Sequence, residues 1–198
     1  MRRALALAPV LLLVLALGGC GGPPTDFYAL TPVAATGGDG PAACAGSTPL
    51  VVDHVLLPGI LDRQSMVTAA AGDRLAISGQ DRWAAPLDQM IQRVLTEDLR
   101  DRLGPGRVLA PGDPTPAGGA DGVQVNVLRF MPDEAGRVTL HADWTLFGAH
   151  GKPLLTRSES LSDAGPATAG DNAAAMSRAL GKLADAIAAG LPAAGGCG

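Results

Sequence analysis

The chain has 198 residues and a formal net charge of -4, with 27 glycines, 16 prolines and three cysteines. Removing Arg2 and Arg3 with the first 19 residues leaves 179 residues and a charge of about -6 (-4 less two), which offers no basic face and excludes nucleic acid as a partner. That length suffices for one sizeable core and requires no second domain.

Met1-Arg2-Arg3 is a short positive region, and the apolar stretch Ala4 to Leu17 runs into Leu17-Gly18-Gly19-Cys20. This is the pattern of an export signal that ends in a lipobox. The stretch is shorter than the roughly 20 residues a membrane-crossing helix needs, and Pro9 interrupts it. The sequence therefore predicts a signal peptide over 1–19 and a mature chain that starts at Cys20, whose thiol carries a diacylglyceryl group and whose amine carries an acyl chain. No other cofactor is expected. Each buried methylene contributes about 0.8 kcal/mol, so two or three chains hold a protein on a bilayer almost permanently. Gly21 is not the Asp that often marks inner-membrane retention, which favours the periplasmic face of the outer membrane. Cys44 and Cys197 remain as an even pair in an oxidising compartment; they are bridged, or they are two unpaired thiols in the chain's loose ends.

Residues 20–48 read as a tether rich in Gly, Pro, Ala and Thr with one short strand at 27–30, and residues 49–198 as the folded domain that this strand joins. Leu50 to Leu57 is a β-branched apolar strand. Met66 to Ala70 and Arg74 to Ser78 flank the turn Ala71-Gly72-Asp73 as a hairpin. Between them Pro58 to Arg63 forms an ordered loop. Pro86 opens a helix with Leu87, Met90, Ile91, Val94, Leu95, Leu99 and Leu103 on one face, and Asp88, Arg93, Glu97, Asp98 and Arg102 on the other. Gly104-Pro105-Gly106 ends it. A short strand at Val108-Leu109 follows.

Val123, Val125 and Val127 then alternate with Gln124 and Asn126, and Val138 to Leu146 alternate with Thr139, His141, Asp143 and Thr145, as a half-buried antiparallel pair does. Leu154 to Ser160 adds a strand. A flexible stretch, 162–170, precedes Asp171 as N-cap of a second helix with Met176, Leu180, Leu183, Ile187 and Leu191 on its stripe. Each helix has one apolar stripe, so the fold class is α/β: a single-domain mixed, largely antiparallel sheet covered by two amphipathic helices in an α/β sandwich.

Several segments, in order, resemble the ABC-type transport auxiliary lipoproteins, the paraquat-inducible protein C-like family. These are Phe27-Tyr28-Ala29-Leu30, Val51 to Pro58, Leu61-Asp62-Arg63-Gln64-Ser65-Met66-Val67, Asp81-Arg82-Trp83-Ala84-Ala85-Pro86-Leu87, and Val125 to Phe130 with the Trp144 strand. The resemblance implies a non-enzymatic periplasmic lipoprotein subunit of an ABC and MCE-type intermembrane lipid transport system. Its partners would be a membrane, through the lipid anchor, together with an MCE-domain protein and inner-membrane ABC-type components. The Gly-rich loop at 36–46 and the Cys44 and Cys197 pair depart from the family pattern. Whether the domain forms a homo-oligomer is left open.

Leu61, Asp62, Arg63, Arg82 and Trp83 are the candidate partner-binding residues. The same residues have structural readings: Ile60 and Leu61 as core plugs, Asp62 and Arg63 as loop caps, Arg82 and Trp83 as a cation-π pair. His54, His141 and His150 lack ligands at metal spacing, and no GxSxG or P-loop is present, so neither a metal site nor a catalytic residue is expected. An outer-membrane structural or assembly lipoprotein is the alternative. A lipoprotein hydrolase using His141 and Asp143 is the third reading.

Overall fold

The computed structural model describes residues 23–35, 48–104 and 106–191. The expected signal segment, Cys20, Cys44 and Cys197 lie outside the described residues. Alternation along Arg137–Phe147 is complete: Val138, Leu140, Ala142, Trp144 and Leu146 are buried, while the residues between them reach solvent. One face of this strand therefore packs on helices and the other is wet.

Among the described residues eight strands and two helices follow in the order β1 (Asp26–Tyr28), β2 (Leu50–Leu56), β3 (Ser65–Ala69), β4 (Leu75–Trp83), α1 (Leu87–Leu103), β5 (Val108–Leu109), β6 (Asp121–Pro132), β7 (Arg137–Phe147), β8 (Pro153–Ala164) and α2 (Ala169–Gly190). The α/β class and the two covering helices are as expected. The strands divide into two hydrogen-bonded sheets, β5-β2-β6-β7-β8 and β1-β4-β3. In the large sheet β5, β2 and β6 are parallel, and β6, β7 and β8 form an antiparallel meander. In the small sheet β1 runs parallel to β4 and β3 antiparallel to it. A single bridge from Ala69 to Asp133 joins the small sheet to the end of β6.

The core lies between the large sheet and the helices. Ile91, Val94, Leu95 and Leu99 of α1 and Met176, Leu180, Leu183 and Ile187 of α2 meet Val123, Val125, Leu140 and Trp144 with little or no exposed area. Leu128 interrupts the β6 alternation. The register slips between Val127 and Arg129, so Leu128 is an extra, exposed residue and Phe130 returns to the core.

Two segments differ from the sequence expectation. Residues 162–164 are strand, not flexible chain, because Asp163 is held by Arg178 Nε and Lys182 Nζ, each at 2.8 Å. Asp171 is not the N-cap of α2: Thr168 is, its Oγ accepting from Asp171 N–H at 3.2 Å while Asp171 sits in the first turn. Extended backbone suits the β-branched Thr168, and its hydroxyl in turn donates to the Asp171 carboxylate.

At Gly190 a Cβ would lie 2.7 Å from Cη2 of Trp144, a fully buried ring that cannot move aside. Gly190→Ala is therefore expected to destabilise the fold by about 1–3 kcal/mol through overpacking, although alanine is ordinarily the better helix former. Urea denaturation against the wild type measures it, and an unchanged or higher midpoint refutes the packing argument.

Candidate functional site

Three of the family-like segments, those around Phe27, Leu61 and Arg82, meet at one end of the small sheet, and the others lie in β2, β6 and β7 of the large one. Parallel pairing sets Phe27 beside Arg82 and Tyr28 beside Trp83, and Ser65 lies across β4 from Arg82. Trp83 N–H donates to Gln64 O at 2.7 Å and Ala84 N–H to Tyr28 O at 2.8 Å, which sews the loop after β2 to β1 and β4. The loop itself is closed by Leu61 N–H donating to Pro58 O at 2.8 Å.

The five candidate residues separate into two groups. Leu61 and Trp83 are core side chains, each 3 % exposed. Asp62 and Arg63 are exposed and Arg82 is half-buried. Successive strand residues face opposite sides, so Arg82 shares a face with Phe27 and Ser65, not with the Trp83 ring, and the expected cation-π pair does not fit this geometry. Arg82 Nε is buried without a hydrogen-bond partner. Phe27, 62 % exposed, completes a surface of one large apolar ring and three charged side chains above the buried Leu61 and Trp83. Sequence reading placed Phe27 in a strand but had no means of knowing which of Phe27 and Tyr28 faces outward, because β1 is only three residues long.

Beyond β1 the chain crosses the helices as an extended strap, residues 30–35. Its N–H groups at Thr31, Val33 and Ala35 donate to Ser177 Oγ (3.1 Å), Asp98 Oδ1 (2.7 Å) and Asp101 Oδ2 (2.7 Å). Arg93 and Arg102 donate in turn to Leu30 O (3.1 Å) and Val33 O (3.2 Å). Arg102 also donates from Nε to Asp185 Oδ1 at 2.6 Å and from Nη2 to Gly181 O at 3.0 Å. One guanidinium thus ties α1, α2 and the strap together. The absence of a side chain at Gly181 makes the approach possible: a Cβ there would stand 3.1 Å from Val33 Cβ.

Asp98 and Arg102, expected on the wet face of α1, are in fact 1 % and 7 % exposed. Their i,i+4 spacing was visible in the sequence, but that spacing is equally typical of surface pairs; the strap and α2, both distant in sequence, cover them.

An open depression of about 620 Å³ lies elsewhere, between the β3–β4 and β6–β7 turns, lined in part by Arg74, Arg129, Asp133 and Glu134. His141 is exposed, and Asp143 accepts from Ser158 Oγ across the wet sheet face. Among the described residues no three His, Cys, Asp or Glu side chains are grouped to hold a metal ion.

Burial pushes the Asp98 carboxyl up to about 6, against the Val33 N–H and the Arg102 charge, which favour ionisation. A carboxyl whose folded value lies above its unfolded one contributes stability that is complete below about pH 4 and lost as pH rises through about 6. Asp98→Asn keeps the acceptor for Val33 and removes the titration. Relative to this variant the wild type is expected to lose about 1–2 kcal/mol between pH 4 and pH 7, the shift being discounted for partial screening. Urea titrations at several pH values read the difference, and parallel profiles for the two proteins refute it.

Residues 28–188 match the profile of the family described as ABC-type transport auxiliary lipoprotein component. The chain is 31 % identical over 132 residues to the intermembrane transport lipoprotein PqiC of Escherichia coli strain K12, covering 66 % of this chain and 68 % of that protein. PqiC of Shigella flexneri matches equally. The fold is similar to that of the crystal structure of protein XCC0632 from Xanthomonas campestris, with TM-score 0.65 and 19 % identity over 82 % of this chain and 92 % of that one. A crystal structure of an uncharacterized protein is similar at TM-score 0.68 and 20 % identity, over 84 % of this chain and 98 % of that one. The match spans all ten elements save the start of β1 and the end of α2, and the chain therefore belongs to the family of ABC-type transport auxiliary lipoprotein components.

Proposed function

We propose that this protein is a non-enzymatic lipoprotein subunit of an intermembrane lipid transport system, anchored through acylated Cys20 to the periplasmic face of the outer membrane. There it serves as the docking element for an MCE-type protein that works with inner-membrane ABC-type components. Kinship with PqiC, which is named an intermembrane transport lipoprotein, supports the transport role.

The observation that carries the reading is how little free chain separates Cys20 from the folded domain. Asp26 of β1 is six residues after Cys20, so the small sheet stands at most about 20 Å from the lipidated residue. On the other side of β1 the strap at 30–35 is tied to both helices. An anchor on so short a lead holds the Phe27, Asp62, Arg63 and Arg82 surface close to the bilayer, where a periplasm-spanning partner ends.

Replacing Cys20 by Ser is expected to move the chain from the membrane fraction to the soluble periplasm, and unchanged fractionation refutes the anchor. Separately, the double variant Arg63→Ala/Arg82→Ala is expected to fold normally and to lose most of its co-purification with the MCE-type protein, by roughly tenfold or more if these charges are central to the contact. Wild-type recovery of that protein with the double variant removes this surface from the interface.

A further inference from the structure

β1 runs parallel to β4, with Asp26 beside Asp81, so the residues upstream of Asp26 head back along β4 toward its start at Leu75. Oriented to donate, the Gln80 side-chain amide reaches Pro24 O at 3.0 Å and Pro23 O at 3.1 Å, which holds this lead against β4. The two proline rings fix φ and stiffen it. Cys20 stands three residues before Pro23, at most about 10 Å away, and the same step along β4 from Gln80 reaches Ile77. Taking Cys20 to be acylated, as proposed above, we infer that the β3–β4 hairpin dips into the headgroup layer of the bilayer that holds the acyl chains, with Leu75 and Ile77 as its apolar contacts.

The first half of β4 suits that medium. All seven residues from Ala71 to Ile77 are exposed, Leu75 by 43 % and Ile77 by 48 %. Two positions apart, these side chains share one face, across the ladder from Ala69 and Val67 of β3. Upstream of Asp81, β4 pairs with β3 alone among the described residues, so its other edge is open as well. A bare edge with two large aliphatic side chains is an aggregation hazard in water. In the headgroup layer the side chains meet acyl carbon, while water remains for the free backbone groups.

The neighbouring turn completes a boundary surface. The Ala69–Asp133 bridge places the β6–β7 turn next to the hairpin tip, with the open depression between them. Arg74 and Arg129 beside it are exposed and form no salt bridge among the described residues. Asp73 and Glu134 are exposed too, whereas Asp133 accepts from the N–H groups of Ala135 and Arg137. Arg74, Arg129 and Arg137 balance Asp73, Asp133 and Glu134, so net charge does not select an anionic surface. The contact is therefore apolar, and the arginines reach lipid phosphate over their aliphatic stems. At the opposite end of β4, Arg82 beside Phe27 stays clear of lipid and open to a protein partner.

The test uses the mature acylated chain with Cys44→Ser and Cys197→Ser, reconstituted in phosphatidylcholine vesicles. An environment-sensitive dye is attached at Ala71→Cys in the hairpin tip, or at His150→Cys in the β7–β8 turn, at the other end of β7 from the β6–β7 turn. Flotation with the vesicles checks the anchor by itself. Lipid carrying a quencher near its headgroup is expected to dim the dye at 71 and spare the dye at 150, in low and high salt alike. Leu75→Ser/Ile77→Ser removes two half-exposed aliphatic side chains and is expected to weaken insertion about tenfold or more, with loss of the quenching at 71. Amide exchange of residues 71–77, slower in the floating wild type than in the unanchored Cys20→Ser chain, gives a second reading with no substitution in the hairpin. A chain that does not float refutes the anchor and the hairpin contact together. If it floats but the two dyes are quenched alike, or the serine pair keeps full quenching, the hairpin contact alone is refuted. A dye at 71 shielded from water yet unquenched by lipid assigns the hairpin to a second copy. Quenching that needs anionic lipid and vanishes in salt assigns the contact to Arg74 and Arg129 instead; either result overturns the apolar contact.

Discussion

The arrangement of the N-terminal half depends on one buried cation. Arg102 lies between α1 and α2 with its Nε, Nη1 and Nη2 all donating, to Asp185, to the Val33 and Asp98 carbonyls, and to Gly181 O. A buried charge that loses its partners costs about 3–5 kcal/mol. The helix pair and the strap are therefore not independent: the strap supplies one acceptor for Arg102 and covers Asp98, while the helices supply the acceptors and donors that hold the strap extended. Hydrogen bonds made by backbone atoms of the strap fix its path with little dependence on its side chains, which is why Thr31, Pro32 and Ala34 can all face solvent.

This arrangement explains which parts of the molecule the sequence made legible. The period of 3.6 along α1 and α2 and the period of 2 along β7 are local signals: every apolar residue of the expected α1 stripe from Leu87 to Leu99 is buried, as is every one of the β7 stripe from Val138 to Leu146. The burial of Asp98 and Arg102 is a tertiary event. It arises from residues 30–35 and from α2, each more than sixty positions away, closing over α1, and no window on α1 contains that information. The division into two sheets was hidden for the same reason: β1 pairs with β4 across the whole of β2 and β3.

The candidate surface shows a similar division between local and distant information. Segments that stand apart in the chain, around Phe27, Leu61 and Arg82, carried the family resemblance, and the fold brings them to one end of the small sheet. Their most apolar members serve as its foundation. Leu61 and Trp83 are core, Tyr28 packs against the core, and the groups left for contact are Phe27 and the charged Asp62, Arg63 and Arg82. Charged rim residues influence encounter and specificity more than affinity, whereas a large exposed aromatic supplies area. The surface has both elements on a base whose backbone is closed by the Gln64 and Tyr28 carbonyls.

The two edges of the large sheet are treated differently, and the difference has a physical meaning. At one edge β5 has only two residues, too few to template another strand, and Arg100 Nε already donates to Val108 O at 2.9 Å. At the other, β8 extends over twelve residues and is closed only at its C-terminal end, by Lys182 and Arg178. The helix that protects Ser162 and Ala164 exposes no equivalent donor toward Ser158: its next charged side chain, Asp185, is a carboxylate, which can only accept and already does so from Arg102. The open stretch is thus the part of the edge that α2 cannot reach, bounded on one side by a lysine clamp and on the other by the turn before Pro153. An aggregation-prone edge of that length would usually be broken by a proline or a bulge in its middle; β8 has neither between Leu155 and Ala164. Its regular pairing with β7 keeps Leu155, Arg157, Glu159 and Leu161 on the helix face, where Glu159 Oε1 accepts from Trp144 Nε1 at 3.4 Å.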